Sequence, residues 1–233
     1  MAETLPGVVR MGMIRRLKTL TTEAFREHWK GPHGAIAAHI PNLRRYYQNH
    51  FMESFALGYW RDIWSLDGLS ELWFDDIDTM LQSIASPDYA PLARDTPTVM
   101  TMPGLIAGHQ ERELAADGDV GELAKAMIIF GRRASATAAS FAAAWRDACP
   151  NLRGLQGVRQ IVSTYVNHWE SEPAKLTPYN RLPVDIVCEL WFETPQARRS
   201  ALAKELTRQL SENLTALVAN ASCHTTQTYV IVA

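Results

Sequence analysis

The sequence lacks most of the features that mark membrane, secreted and nucleic-acid-binding proteins. Its three cysteines all lie in the second half and fit neither a disulfide framework nor a zinc site. No apolar run is long enough to cross a membrane, and the first residues, MAETLPGVVR, contain no signal-peptide core. A formal net charge of −2 gives no reason to expect nucleic acid or an anionic membrane as a partner. We therefore expect a cytoplasmic protein whose partner is a small molecule.

Cofactor motifs are also missing. The sequence contains no phosphate-binding glycine loop, dinucleotide fingerprint or paired-histidine zinc motif. His28, His33 and His39 crowd one segment, but their spacings do not place them on one helical face, where residues three or four apart are needed. We therefore expect no metal and no cofactor, and keep a heme ligand from one of these histidines as an alternative. Seven tryptophans are many for this length, and they suit a core or the wall of an apolar pocket.

The sequence contains an internal repeat. The run ELWF occurs at residues 71–74 and again at 189–192, and Asp67 or Asp185 precedes each copy. The pair Asn-His, which ends at His50 in YYQNH, recurs at the same offset in TYVNH, ending at His168. The matched positions are Tyr47, Asn49, His50, Asp67, Glu71, Leu72, Trp73 and Phe74 with Tyr165, Asn167, His168, Asp185, Glu189, Leu190, Trp191 and Phe192, and Phe25 and Trp29 with Phe141 and Trp145. Chance rarely aligns such runs in order, so a duplication is predicted.

Each copy has the same predicted order of elements, β-α-β-β-α-β. The first copy has segments at Val9–Leu17, Thr22–Lys30 resuming at Ala35–His39, Leu43–Phe51, 67–73, Asp76–Ala85 and Thr96–Met102, and the second at Ala124–Gly131, Thr137–Ala148, Val158–Trp169, 185–191, Pro195–Ala219 and Thr225–Val232. This order predicts an α+β fold in which two ferredoxin-like repeats pack sheet to sheet as an intramolecular dimeric α+β barrel. The first repeat is assigned to residues 1–110, an acidic linker to 111–123 and a second, degenerate repeat to 124–233.

One segment resembles a known family. The pattern F-x-x-x-W-x-x-x-H-G-x-x-A-x-x-x-P-x-L-x-x-Y-x-Q-N, from Phe25 to Asn49, resembles the EthD family of dimeric α+β barrels. The resemblance is specific over Phe25–His50 and looser elsewhere. It implies a ligand cleft between the sheet and the helices of one half, and a pseudo-dimer within the chain, with further homodimerisation left open. Relatives include methylmuconolactone isomerases, polyketide dehydratases and cyclases, cofactor-free oxygenases and heme-binding branches.

The sequence Gly31-Pro32-His33-Gly34 interrupts a predicted helix. Proline lacks a backbone donor and glycine weakens helices, so this segment breaks local folding rules without an evident gain in stability. One interpretation is that the break re-aims His33 towards the sheet for a chemical role, and the other is a simple kink with an exposed histidine. Cys149 is the residue of the second copy that aligns with His33, and we expect a buried structural thiol there. A single working site in the first half is therefore predicted.

Polar residues on the predicted strands have two interpretations each. Tyr47 and Asn49 share one face of a strand, whereas His50 and Tyr46 share the other. Asp67 and Glu71 also share a face, and they either perform acid–base chemistry or, as we favour, form salt bridges with Arg15, Arg44 or Arg45. The candidate catalytic residues are His33, Tyr47 and His50, and the candidate substrate-binding residues are Phe25, Trp29, Asn49, Asp67, Glu71 and Trp73.

The leading hypothesis is a cofactor-independent dehydratase, isomerase, cyclase or lyase that acts on a small apolar oxygenated ring compound. His33 would remove a proton next to a carbonyl, and Tyr47 or His50 would stabilise the oxyanion. The alternatives are a small-molecule-binding barrel without catalysis and a heme-binding barrel. We also expect the substitution His33→Ala to remove most activity and leave the fold intact.

Overall fold

The β-strands form one continuous sheet in the computed structural model of the protein, which describes residues 2–58, 60–118, 120–170, 184–210 and 212–233. The strands are β1 (Glu3–Thr4), β2 (Val8–Arg16), β3 (Arg45–Phe55), β4 (Gly68–Phe74), β5 (Met100–Leu114), β6 (Ala124–Arg132), β7 (Val158–Trp169), β8 (Ile186–Phe192) and β9 (Val218–Val232). Their order across the sheet is β1-β5-β2-β4-β3-β9-β6-β8-β7, and the paired strands are antiparallel. Because β5 also pairs with β7, the sheet closes into a barrel.

The two halves of the chain contribute strands to the barrel in the same order. β5-β2-β4-β3 come from the first half and β9-β6-β8-β7 from the second, and in each half the last strand lies next to the first. The halves meet at β3–β9 and β5–β7, where backbone hydrogen bonds join the sheets edge to edge. The sheets therefore form one curved wall and are not stacked as two separate layers. The long strands β5 and β9, of 15 residues each, reach across to the other half and make this closure possible.

Helices cover the outside of the barrel. The first half contributes α1 (Thr22–His28), a π-helical turn (Trp29–His33), α2 (Gly34–Ala37), α3 (Ile77–Ala85) and α4 (Ala90–Val99), and the second half α5 (Ala138–Ala148), α6 (Pro195–Lys204), α7 (Leu206–Gln209) and α8 (Glu212–Leu217). Side-chain caps explain several starts, since the side chains of Thr21, Asp76 and Thr137 accept backbone hydrogen bonds from the first turns of α1, α3 and α5. None of the helices in the described ranges is both long and apolar enough to span a bilayer.

The elements differ from the predicted ones in three places. Residues 96–99, predicted as the start of a strand, form the end of α4, and β5 begins at Met100. The predicted helix Pro195–Ala219 consists of three short helices, and β9 begins already at Val218. β5 continues to Leu114, so the first residues of the segment assigned to the linker are strand.

The register of the sheet corrects one part of the sequence repeat. The backbone N–H of Phe51 donates to the carbonyl of Asp67, and that of Val166 donates to Asp185, so Phe51 corresponds to Val166. Tyr47 then corresponds to Val162, because these two residues lie opposite Glu71 and Glu189. The match of YYQNH with TYVNH is therefore three residues out of register. An odd shift exchanges the faces of a strand, and Tyr165 accordingly packs with the helix-facing core while Tyr47 packs with the barrel interior.

Candidate functional site

The Gly-Pro-His-Gly segment does not break its helix. Pro32 has no N–H to donate to the carbonyl of His28, and the chain continues through a π-helical turn in which Gly34 N–H reaches the carbonyl of Trp29. The side chain of Gln48, on β3, donates to the same carbonyl at 2.7 Å. Turns of this kind occur often at functional sites, because the extra residue changes the direction of the side chains around it.

The π-turn presents His33 to helix α4. Nδ1 of His33 lies 2.8 Å from Oδ2 of Asp95, and Nε2 of His28 lies 2.9 Å from Oδ1 of the same carboxylate. His33 is 5% exposed, so the interpretation of an exposed kink histidine is wrong, and so is the expected direction towards the sheet. The sequence did not identify Asp95 as a site residue, because the helix α4 that carries it was not predicted.

The hydrogen bond to Asp95 sets the chemistry of His33. The Asp95 carboxylate accepts a hydrogen bond from Nδ1–H, which leaves the lone pair of Nε2 free to accept a proton. Nε2 makes no hydrogen bond with any described residue, and the His33 side chain is 7% exposed. Burial lowers the pKa of His33, and the hydrogen bond to Asp95 counters this only in part. The imidazole is therefore neutral near pH 7, as a general base requires.

His50 lies in a different environment from His33. Its ring stacks on Trp29 at a centroid distance of 4.2 Å, Phe25 stacks on Trp29 in turn, and Tyr229 meets His50 edge-on. His50 is fully buried, and burial, with the positive charges of Arg26 and Lys30, lowers its pKa to about 3. Phe25, Trp29 and His50 thus fill the space between helix and sheet in the first half, where the pocket was predicted.

The other candidate residues point into the barrel. Asn49 donates to Oε2 of Glu71 at 2.7 Å, and Trp73 packs edge-on against Tyr47. Lys125, from the second half, lies 2.7 Å from carboxylate oxygens of both Glu71 and Glu189. The wall of the barrel therefore separates Tyr47, Asn49, Glu71 and Trp73 from His33, and the structure does not bring the nine candidates together in one site.

The two carboxyl groups beside Lys125 differ in protonation. Burial opposes the ionisation of Glu71, but Lys125 and hydrogen bonds from its neighbours outweigh this effect and lower its pKa. Burial and repulsion from Glu71 raise the pKa of Glu189 to about 8. At neutral pH, Glu71 is ionised and Glu189 is protonated, so the three side chains together carry no net charge.

The favoured salt bridges exist, but with other partners than those proposed. Asp67 pairs with the guanidinium of Arg16 at 3.4 Å and also accepts from its backbone N–H at 3.0 Å, and Asp185 pairs with Arg132 at 2.9 Å. Of the arginines named from the sequence, Arg15 donates to the carbonyl of Trp64, Arg44 pairs with the exposed Asp75, and Arg45 lies over the ring of Trp73. Asp67 and Asp185 lie just before β4 and β8, next to the ends of β2 and β6. Arg16 and Arg132 are the last residues of β2 and β6, so each lies beside its aspartate.

A cavity of about 580 Å³ lies beside α5 of the second half and is also lined by Ala2, Thr4, Glu111 and Glu113. Cys149, Ser163 and Tyr165 contribute to its lining. Cys149 is buried, as expected, and burial raises the pKa of its thiol to about 12. Burial also raises the pKa of Tyr165. These shifts leave neither group as a base at neutral pH, and the carboxylates of the lining, Glu111 and Glu113, pair with Arg146 and Arg153.

The described residues do not fit a heme ligand set. No histidine lines the cavity of about 580 Å³, and the only thiol in its lining is held protonated by burial. His28 and His33 both face the Asp95 carboxylate, and His50 is covered by aromatic rings on two sides. In the part of the chain that the structure describes, no group of three or more His, Cys, Asp or Glu side chains is arranged to hold a metal ion.

The sequence and the fold were compared with known proteins. Residues 17–101 match the family model of the EthD domain. No curated protein sequence matches significantly. The matched region includes the π-turn, β3, β4 and α4, and therefore includes His33 and Asp95.

Solved structures with the same fold cover almost the whole chain. An anthrone oxidase-like protein has a TM-score of 0.62 and 10% identity over 96% of this chain and 92% of its own. A protein of Lactobacillus acidophilus named as a monooxygenase has a TM-score of 0.52 and 12% identity, with 96% and 95% covered. A variant of chlorite dismutase from Candidatus Nitrospira defluvii has a TM-score of 0.51 and 11% identity, with 96% and 93% covered. At these identities the similarity shows the fold alone.

Proposed function

Because the first half of the chain carries an EthD domain, we propose that the protein is a cofactor-independent enzyme that removes a proton next to the carbonyl of a small, largely apolar ring compound. The observation that supports this most is the hydrogen bond between His33 and Asp95. It holds the imidazole in one tautomer and stabilises the imidazolium that forms when Nε2 accepts a proton. The same step begins a dehydration, an isomerisation, a cyclisation or a lyase reaction.

The proposed duplication explains why only one half carries the dyad. If the two halves descend from one ferredoxin-like repeat, the position of His33 is occupied by Cys149 in the second. The second half then retains the fold and a cavity but lacks the base. This division suits a chain in which one half performs chemistry and the other completes the barrel.

Exchange of hydrogen for deuterium tests the proposed step without knowledge of the natural product. We choose anthrone as the probe, because it is a flat apolar ring ketone and one neighbour in fold is named anthrone oxidase-like. Its methylene group lies across the central ring from the carbonyl, which acidifies it through the two fused rings, so the exchange tests whether His33 removes a proton that a carbonyl activates. His33 would take a methylene proton, the electron pair would delocalise to the carbonyl oxygen, and deuterium would return from D₂O. NMR measures the loss of the methylene signal, under nitrogen to prevent oxidation.

The control variant comes from the same segment. His39 is exposed and bonds only to the carbonyl of Ala35 in its own helix, so His39→Gln should exchange anthrone protons as the unchanged protein does. His33→Gln should lose roughly a hundredfold to ten-thousandfold in exchange rate. Equal rates for the two variants would show that His33 is not the base. Binding of anthrone without any exchange would favour the alternative of a barrel that binds but does not catalyse, and a Soret band in the purified protein would favour the heme alternative.

A further inference from the structure

A groove runs along one side of β9 where no strand covers it. The pairing of β6 with β9 begins only at Ala126, opposite Thr225, so β9 continues beyond this point with β3 alone as its neighbour. The groove has a volume of about 730 Å³ and extends from the turn at Val120–Glu122 to the first turn of α6. In the first half, β1 covers the comparable part of β5 by pairing with Glu111 and Arg112. The second half has no such strand among the described residues.

Two donors in the lining of this groove have no acceptor. Trp191 is only 6% exposed, and its indole Nε1 is buried without a hydrogen-bond partner. Nε of Arg198 is likewise buried and unpartnered, while one terminal nitrogen donates to the carbonyls of Lys125 and Thr226. Leaving a buried donor unpaired costs about 1–3 kcal/mol. Both atoms are therefore suited to a ligand that supplies acceptors.

The corresponding position in the first half shows what is missing. Trp73, the counterpart of Trp191, donates its indole N–H to Oε1 of Gln110 at 3.0 Å. Gln110 lies opposite Thr164, and the residue in the same place on β9 is Thr228, which lies opposite Asn49. The side chain of Thr228 is shorter than that of Gln110, and its hydroxyl donates to Asn49 at 2.9 Å. In the first half, Gln110 fills the space beside Trp73 and accepts from its indole N–H. In the second half, the shorter Thr228 leaves the corresponding space open, and the indole N–H of Trp191 has no acceptor.

The charges in the groove favour an anion. Lys125 is balanced by Glu71, Arg199 pairs with Glu53, and the remaining carboxylate of the lining, Glu122, is exposed in the turn at Val120–Glu122. Arg198 has no carboxylate within salt-bridge distance among the described residues, and its guanidinium is held in place by the two carbonyls. Among the described cations of the lining, Arg198 is therefore the one that can form a charge-assisted pair with a bound anion. The remaining lining includes apolar side chains that suit a ring, among them Tyr47, Leu123, Trp191 and Val230.

We propose that this groove is a binding site for the carboxylate of a small aromatic acid, with Arg198 and the indole N–H of Trp191 as the two donors. The carboxylate supplies two acceptor oxygens, and the ring lies against the apolar part of the lining. The lining of the groove includes neither His33 nor Asp95, so this proposal can be tested independently of the proposed catalysis. It gives the chain a second place for a small molecule, either a product or an effector.

Titration with benzoate, followed by the indole N–H signals in ¹H–¹⁵N NMR spectra, tests this proposal. Trp191→Phe identifies the Trp191 signal, which should shift and saturate with benzoate. Uncharged benzamide should bind at least about tenfold more weakly, since it loses a charge-assisted pairing. Arg198→Gln should weaken benzoate by a similar factor. Trp145→Phe is the control, because the Trp145 N–H already donates to Ser163 at 2.9 Å and the residue does not line the groove, and it should bind benzoate as the unchanged protein does.

Thr228→Gln provides a second, independent variant. A glutamine at this position should accept from Trp191 and donate to Asn49, as Gln110 does with Trp73 and Thr164. We expect it to abolish benzoate binding while raising the melting temperature. The proposal is overturned if the Trp191 signal shows no saturable shift up to about 10 mM benzoate, or if Arg198→Gln and Thr228→Gln bind benzoate as tightly as the unchanged protein.

Discussion

The side chain of Asp95 joins two histidines that the chain places five residues apart. Its two carboxylate oxygens contact His28 and His33 separately, at 2.9 and 2.8 Å. Burial opposes the ionisation of Asp95, but the two histidine hydrogen bonds outweigh it and lower its pKa. The carboxylate is therefore charged when His33 accepts a proton, and it stabilises the imidazolium at that moment.

Asp95→Asn should separate a positioning role of Asp95 from a structural one. The pKa of His33 is already lowered by burial, so the acid limb of the rate of anthrone exchange should lie below the usual histidine value of about 6.5. Loss of the carboxylate removes the effect that raises this pKa. The acid limb should then move to still lower pH, while the maximal rate falls roughly a hundredfold or more. An unchanged acid limb together with an unchanged rate would assign Asp95 to packing alone.

His50 should make the stability of the protein depend on pH. Its pKa is about 3 in the folded protein, so the unfolded chain binds the proton first as pH falls below about 6.5. Stability is fully present above that value and is lost as pH falls towards 3. For His50 alone the loss at pH 5 is about 2 kcal/mol. Urea unfolding at pH 7 and pH 5 measures it.

The variant His50→Phe keeps a ring on Trp29 but cannot titrate, and its loss of stability between pH 7 and pH 5 should be smaller by this amount. Part of the dependence should persist, because burial also lowers the pKa of His224, to about 4. His39→Gln is the control and should follow the unchanged protein, since its side chain is exposed. If His50→Phe retained the full pH dependence, the buried ring would not be its source.

At the scale of the element, the π-turn depends on a strand as well as on its own sequence. Pro32 removes the α-helical hydrogen bond to His28, and Gln48 of β3 contacts the Trp29 carbonyl that the turn leaves accessible. The amide nitrogen of Gln48 also donates to the hydroxyl of Tyr46 at 2.9 Å, and its amide oxygen lies 3.2 Å from Nε2 of His50. With the Trp29 carbonyl, Gln48 therefore contacts three buried polar groups. This one side chain connects the helix that carries His33 to the barrel wall.

Gln48→Leu should destabilise the protein by about 1–3 kcal/mol, because it removes the Gln48 partner of the buried Tyr46 hydroxyl and His50 Nε2 and one of the two donors to the Trp29 carbonyl. Gln48 is fully buried, so water cannot replace the amide readily. Chemical denaturation measures the loss, and hydrogen exchange of the Gly34 amide reports on the turn itself. We expect faster exchange at Gly34 and unchanged exchange in α5. Equal protection of Gly34 in both proteins would show that the turn forms without Gln48.

The sequence predicted the elements whose pattern is local and missed those that depend on distant contacts. β7 and the starts of α5 and β6 lie where alternation, capping and apolar runs placed them. Helix α4 was missed because Thr96 to Val99 is rich in β-branched residues and contains Pro97, which together indicate a strand or a break. The local signals were Pro91 in the first turn of α4 and, just before it, Ser86-Pro87, which begins a 3-10 turn at Pro87–Tyr89. Asp95 was lost with this helix, whereas the unusual Gly-Pro-His-Gly segment made His33 visible.

At the scale of the whole molecule, one buried lysine joins the halves of the barrel. Lys125 of β6 contacts Glu71 of β4 and Glu189 of β8, and all three are buried. Alternation along the strand predicted that Glu71 shares a face with Asp67, but not that its partner is Lys125. That partner follows from the closure of the barrel, which brings together residues far apart in the chain.

Glu189→Gln should stabilise the protein more at pH 8 than at pH 5. The pKa of Glu189 is about 8 when folded and about 4.5 when unfolded, so the folded protein holds a proton that the unfolded chain releases. Stability from this group is present below pH 4.5 and is lost as pH rises to 8. Glutamine resembles the protonated carboxyl group and cannot ionise, so the loss of stability as pH rises to 8 does not occur in the variant. Glu193→Gln, at an exposed ion pair with Arg159, is the control and should not change the pH dependence. Parallel pH dependences for Glu189→Gln and the unchanged protein would contradict the assignment.

Because the two halves are joined edge to edge, the geometry of the barrel sheet does not depend on which half comes first in the chain. Both seams, β3 with β9 and β5 with β7, are held by antiparallel backbone pairing that does not require either half to come first. A circular permutant that starts at Ala124 and reads through a flexible linker into the first half should therefore build the same barrel. The linker would replace one covalent connection, and every strand would keep both of its neighbours.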